Sequence, residues 1–244
     1  MNKLELFPVE GIGALSKGDD LAGLIAGQFS LEDGDVVVVS SKAVSKTEGN
    51  VYTREDLTPS PFAHTLAERT NHDPWYCELV LRESADIVRM APGVVISRTR
   101  HGFVLANAGV DASNAGGEGR LVALPKDPDG SARRLRQDFL DRTGKNVAVI
   151  ISDTFGRTWR VGQTDLAVGV AGLSPLRDYR GEKDADGRAM SRTCLAHADE
   201  LASAAELVRG KAEGIPAVVV RGYQCQGDGA VSETLMPADR DLFR

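Results

Sequence analysis

The chain has no Gly-x-x-x-x-Gly-Lys-Ser/Thr stretch and no Gly-x-Gly-x-x-Gly after a strand pattern. Neither a P-loop nor a Rossmann phosphate fingerprint is present, so a bound nucleotide would be held by a less common device. Cysteine is scarce. Cys77, Cys194 and Cys225 are odd in number, widely spaced and never Cys-x-x-Cys, which argues against a disulfide framework or a zinc site and fits a reducing cytoplasm. The opening MNKLELFPVEGIG has no apolar stretch of signal-peptide length, and the longest apolar runs, Val36–Val39 and Val147–Ile151, are strand-sized, far short of a membrane span. Basic residues are in deficit: 29 Lys and Arg against 35 Asp and Glu give a net charge of −6. That balance speaks against a nucleic-acid partner. No repeat, heptad run or low-complexity tract is visible.

What remains is an ordinary globular composition, 42% hydrophobic and 26% charged over 244 residues. Area scaling for 26.0 kDa gives a folded surface of about 10,500 Å², so about 70% of the unfolded chain's surface is buried. The 26 glycines predict many tight turns or close backbone approaches. Strands are predicted at Leu4–Pro8, Val36–Ser40, Gly93–Ser97, Phe103–Ala106, Leu121–Leu124, Asn146–Ser152 and Pro216–Val220. Helices are predicted after Asp19 and Asp20, over 60–90 with a second start at Pro74, from about Ser131 to Arg142 with Gly144 as stop, and over 197–213 with Arg209 and Lys211 in the last turn. The segments 107–119, 153–163 and 177–188 read as loops, and the tail after Gly222 as loose until Leu242 and Phe243. Strands and helices mix without a βαβ rhythm, which indicates an α+β (mixed α/β) fold rather than a barrel or a doubly wound sheet.

Several constellations carry possible chemistry. Asp111 follows Ala-Gly-Val, and Asp153 follows the apolar strand VAVIIS. Two strand-end carboxylates converging in a partly dry space repel unless a cation lies between them, and Mg²⁺ or Mn²⁺ suits such oxygen ligands. The alternative is that both are turn residues. SSKAVSK, residues 40–46, offers two lysines and three hydroxyls to a phosphate, or is a solvated turn. Arg157, Arg160, Arg177 and Arg180 form a local basic excess that suggests an anionic substrate. Trp159 is a stacking platform or a packing residue. His101 is a base, a ligand or a structural hydrogen-bonding group. Asp184 and Asp186 suggest a Ca²⁺ loop only weakly, since Thr193 stands where a Glu is needed. No cysteine shows an activating partner. These residues alone indicate an enzyme using a divalent metal and an anionic substrate.

Longer segments specify more. GDVVVVSSKAVSKTEG, ELVLRESADIVR, RHGFVLANAGVDASN, ISDTFGRTWRVGQTDLAVGVAG and LASAAELVRGKAEGIPAVVVRG resemble, in order and over residues 5–244, the coenzyme F420-0:γ-glutamyl ligase family. QCQGDGAVSETLMPAD matches least. The resemblance implies a single domain over 1–244, in the form without the nitroreductase-like domain that some relatives carry. Its two subdomains would be intimately packed, and the chain would form a homodimer. It implies GTP-dependent joining of L-glutamate to coenzyme F420-0 and then extension through the γ-carboxylate of the glutamate just added, with Mg²⁺ or Mn²⁺ and help from potassium (K⁺), and with neither nucleic acid nor membrane as partner. Because a carboxylate is a poor electrophile, the expected route is an acyl phosphate formed from GTP. The resemblance places nucleotide contacts at Ile12, Gly13, Ala14, Leu15, Ser41, Lys46 and Asn114, and metal contacts at Asp111, Asp153 and Thr154. The competing readings are a metal-dependent phosphohydrolase using the same carboxylates, and a non-catalytic binding protein.

Overall fold

The structure is a computed structural model and describes residues 3–225 and 227–242; Phe243 lies outside the described residues. In chain order the strands and helices are β1 (Glu5–Pro8), α1 (Leu21–Gln28), β2 (Val36–Ser40), α2 (Ser41–Glu48), β3 (Val51–Thr53), α3 (Pro61–Thr70), α4 (Pro74–Glu83), β4 (Ser84–Ala91), β5 (Val94–Thr99), β6 (Val104–Ala106), β7 (Arg120–Val122), α5 (Pro128–Thr143), β8 (Ala148–Arg157), β9 (Arg160–Ala171), β10 (Arg177–Asp178), β11 (Cys194–Leu195), α6 (His197–Arg209) and β12 (Ala217–Arg221). This is the α+β architecture that the irregular mixture of elements indicates.

Local chemistry sets the helix starts. Asp20 accepts from Gly23 N–H at 3.0 Å, Ser60 from Ala63 N–H at 3.2 Å, and Asp127 from Gly130 N–H at 2.9 Å; each side chain satisfies a first-turn donor that has no partner within its helix. Pro61, Pro74 and Pro128 occupy first helical positions, where a missing N–H costs nothing. Capping by Asp127 is why α5 begins three residues before the expected Ser131.

The main sheet runs β1-β12-β2-β8-β9, with β2 and β8 parallel and the other neighbours antiparallel. The valines of β2 are fully buried because α-helices and further chain cover both faces of this central strand. A large hydrophobic cluster surrounds this sheet. A second, smaller one gathers Leu66 of α3, Leu79 and Val80 of α4, Val95 of β5, Val110 and Leu121. β4-β5-β6 form a separate three-stranded sheet, and β3-β7 and β10-β11 form short ribbons.

Four expectations are corrected. Residues 84–91 are a strand, not the end of a helix; two register shifts against β5 break the alternation by which a strand is recognised. Residues 153–163 are the ends of β8 and β9, a long hairpin closed at Thr158 and Trp159, whose outer side chains are solvated and therefore polar. SSKAVSK is no turn: its residues from Ser41 onward form the start of α2. Finally, α6 ends at Arg209, where Gly210 takes φ of 63°, so Lys211 lies in the following loop.

Candidate active site

Register brings the site together. β2 and β8 lie parallel with Ser40 opposite Ser152, so the next residue on each strand projects from the same sheet edge. Ser41, buried at the start of α2, donates its Oγ hydrogen bond to Asp153 Oδ1 at 2.6 Å across 112 residues. One residue further along α2, Lys42 reaches Asp111 Oδ2 at 2.5 Å and Ser113 Oγ at 2.8 Å. Asp111 comes from the second cluster. Its backbone is pinned to Val122 by N–H···O bonds of 3.0 and 2.9 Å, and Ser113 N–H donates to its Oδ1 at 2.7 Å. Lys42 thus stands between a carboxylate supplied by each cluster.

A cleft of about 410 Å³ opens here. Ile12, Gly13, Ala14 and Leu15 form one lip, ahead of α1. Lys42 and Lys46 project from α2, Asp153 and Thr154 from β8, and Asn114 and the loop 210–216 close the other side. Every residue expected to touch nucleotide or metal therefore lines this cleft or, for Ser41 and Asp111, bonds to a residue that does. Ser40 caps α2 without a side-chain hydrogen bond, leaving first-turn N–H groups for an anion.

Successive strand residues face opposite ways, and the cleft has two corners as a result. Asp153 faces α2. Thr154 faces α6, where its Oγ1 donates to Asp165 Oδ1 at 2.8 Å. Asp165 stands opposite Thr154 on β9 and is 1% exposed. It also accepts from Ser152 Oγ at 3.2 Å, from Lys211 Nζ at 3.0 Å and from Arg209 Nη2. Lys211 Nζ also donates to Thr154 Oγ1 at 2.7 Å. Asn114, with φ of 54°, donates to the Lys211 carbonyl at 3.4 Å.

Burial pushes Asp153 up to about 6; the Ser41 hydrogen bond and the Lys42 charge oppose this, and Asp165 adds to it. Burial also acts to raise Asp111, but the Lys42 and Ser113 hydrogen bonds outweigh it and hold Asp111 below the usual carboxylate range. Lys46 is lowered by burial and then by the nearby Lys42 charge.

Among the described residues no three His, Cys, Asp or Glu side chains gather into a metal-holding group. The Asp111–Asp153 corner still suits Mg²⁺ or Mn²⁺, because these ions commonly take one or two carboxylates and complete their shell with phosphate oxygens and water. The donors fit an ion that arrives with phosphate rather than a preformed cage.

Other sequence candidates lie elsewhere. Arg157 bonds the Val161 and Gly162 carbonyls, Arg177 pairs with Glu182, and Arg180 pairs with Asp178. None of these nor Arg160 lines the cleft. Trp159 stands out into solvent at the hairpin tip, 87% exposed. His101 bonds the Lys126 carbonyl and stacks on Phe103, a structural role. Asp184 accepts from the backbone N–H groups of Asp186 and Arg188, which closes a turn. Lys42 is one of the two lysines of SSKAVSK offered to a phosphate, but its bond to Asp111 is not foreseen there, and sequence reasoning left out Asp165, Arg209 and Lys211 as site residues. A helical reading of SSKAVSK would have placed Lys42 and Lys46 on one face, four residues apart. Asp165, a carboxylate opening an apolar run, is a signal for a buried partner, but nothing in the sequence points to Arg209.

The profile of the family described as F420-0:Gamma-glutamyl ligase matches residues 11–222, a span that contains the whole cleft. Among curated proteins, the Coenzyme F420:L-glutamate ligase of Methanothermobacter thermautotrophicus is 48% identical, covering 99% of both chains. That of Methanopyrus kandleri is 45% identical over 99% of this chain and 98% of its own. That of Archaeoglobus fulgidus is 42% identical over 99% and 97%. With its length, its matched span and its cleft accounted for together, this chain belongs to the F420-0:gamma-glutamyl ligase family.

Proposed function

We propose that the chain ligates L-glutamate to coenzyme F420-0 and then extends the tail through the γ-carboxylate of the glutamate just added, consuming GTP. The observation that carries the reading is the match to proteins named Coenzyme F420:L-glutamate ligase over 99% of this chain. The geometry supports it. A carboxylate is a poor electrophile at neutral pH and must be activated. The γ-phosphoryl group of GTP passes to a carboxylate oxygen of F420-0, giving an acyl phosphate and GDP. The glutamate amine then attacks the acyl carbon; the C–N bond forms, the C–O bond to phosphate breaks, and the amine gives up its proton. Such a cleft must gather positive charge around phosphate and exclude water.

Here Ile12–Leu15, Ser41 and Asn114 hold the nucleotide, and Lys46, with Lys42 beside it, meets the outer phosphates. Asp111 and Asp153 are the residues to hold Mg²⁺ or Mn²⁺, with Thr154 adjacent; a bound ion would neutralise phosphate charge. The chain acts as a homodimer in the cytoplasm. Its exposed hairpin tip supports the dimer, and its free thiols at Cys77, Cys194 and Cys225 suit that compartment.

The test is phosphate release with each component omitted in turn, alongside product mass spectrometry. Release is expected to require F420-0 and to be strongly stimulated by glutamate, with one GDP and one phosphate per amide bond. Hydroxylamine in place of glutamate traps the activated carboxyl as a hydroxamate. Rapid GTP hydrolysis without F420-0, and no glutamyl mass gain with it, would replace the ligase with a phosphohydrolase; saturable binding without turnover would leave a binding protein.

A further inference from the structure

We infer that Tyr76 and Asn107 are positioning residues for Asp111: they hold a left-handed turn, residues 107–109, that aims this carboxylate into the Asp111–Asp153 corner. Three consecutive residues, Asn107, Ala108 and Gly109, have positive φ of 53°, 54° and 72°. Asn tolerates this region and Gly is free in it, but alanine is strained there. Ala108 is nevertheless buried in the second cluster. At Gly109 a Cβ would lie 2.7 Å from the Leu124 side chain. Strain of this sort persists only where the surroundings over-determine it, and it gathers at functional sites. The turn delivers Val110 and then Asp111.

Each end of the turn is tied to a different element. Asn107 Oδ1 accepts from the Val95 N–H of β5 at 2.9 Å, and the Asn107 carbonyl accepts from Val110 N–H at 2.9 Å. Tyr76 of α4 donates its hydroxyl to the Val110 carbonyl at 3.1 Å. The peptide joining Val110 to Asp111 is thus held on both polar atoms, its C=O by Tyr76 and its N–H by the Val122 carbonyl. With that peptide fixed, only the side-chain torsions of Asp111 remain, and Lys42 and Ser113 settle those. Neither Tyr76 nor Asn107 lines the cleft, so what they do there passes through Asp111.

The inference rests on the reading of Asp111 as a holder of the divalent ion. The test is calorimetry of GDP binding in EDTA and across a Mn²⁺ titration, which needs neither F420-0 nor glutamate. The full chain is compared with Tyr76→Phe, Asn107→Gly and Asp111→Asn, and thermal midpoints in EDTA are read alongside. Glycine keeps the positive φ at position 107 and removes only the side-chain acceptor. Mn²⁺ is expected to tighten GDP on the parent chain. Tyr76→Phe and Asn107→Gly should each raise the Mn²⁺ concentration that gives half of this tightening by about tenfold to a hundredfold, the usual effect of losing an outer hydrogen-bond partner of a metal ligand. GDP affinity in EDTA should stay at the parent value. Should Asn107→Gly fail to fold, Tyr76→Phe, which deletes one oxygen, decides. A folded variant with a parent-like Mn²⁺ requirement, even at a lowered midpoint, has lost only a structural contact, and its residue is no positioning residue. A matching loss of GDP affinity in EDTA overturns the inference as well, since the effect then does not pass through Asp111. No tightening by Mn²⁺ on the parent, or an unchanged requirement in Asp111→Asn, removes the metal reading of Asp111 and the inference with it.

Discussion

Asp153 and Asp111 sit in one cleft under opposite electrostatic pressures. Burial raises Asp153 to about 6, whereas Lys42 and Ser113 hold Asp111 low. Between pH 4 and pH 6 the folded chain therefore keeps a proton on Asp153 that the unfolded chain has released. Its contribution to stability is full below about pH 4 and is lost as pH rises through about 6. In EDTA at pH 7.5, Asp153→Asn is expected to be more stable than the parent by up to about 3 kcal/mol, shrinking toward zero near pH 4. Urea denaturation at the two pH values checks this, and a pH-independent difference contradicts it. The same substitution, like Asp111→Asn, is expected to abolish turnover with the fold intact, because phosphate charge is left uncompensated; wild-type rates across a Mn²⁺ titration would remove that aspartate from the metal site. For Lys46→Ala, calorimetry should show GTP weakened more than GMP. The loss is roughly 1.5–3 kcal/mol, on the order of tenfold to a hundredfold; equal losses place the ammonium away from the outer phosphates.

Gly169, on β9, shows how tightly the elements around the cleft are set. A Cβ there would lie 2.5 Å from the Pro128 backbone, at the start of α5. Gly169→Ala must push α5 off the sheet and is expected to cost about 1–3 kcal/mol, read as a lower urea midpoint; an unchanged midpoint would mean that α5 yields freely. The elements most readable in sequence are those whose burial is uniform or whose ends are chemically marked. The valine-rich β2 and the Asp20-capped α1 stand where the sequence puts them. β4 is hidden because its bulges scramble the period-2 signal. The β8–β9 arms pass for a loop because their outer half is solvated. The same limit governs the site. Asp153 is conspicuous at the end of an apolar run, and the long motifs of the family mark its neighbours. The Asp165–Arg209 pair joins residues 44 apart, a meeting created by tertiary packing alone.

The whole chain exposes 13347 Å², against about 10,500 Å² for a compact monomer of this mass. Part of the excess is the hairpin tip, where Trp159 is 87% and Val161 96% exposed. In the proposed homodimer this tip is buried. Light scattering should then give twice the 26.0 kDa mass for the parent chain and a shift toward monomer for Trp159→Ser combined with Val161→Thr. A monomeric parent, or an unaffected dimer in the variant, removes the hairpin from the interface. The order of the main sheet also governs how the chain emerges from a ribosome. β2 lies between β8 and β12, and Val39 pairs with Ala217. At the usual 5–20 residues per second, about 10–35 s separate the synthesis of these partners. Val39 also pairs with Ile151 of β8, which follows it after about 6–22 s. Until then the valine strand has two open edges and afterwards the β12 edge alone, so the nascent chain offers an exposed strand edge to holding chaperones before the cleft exists at all.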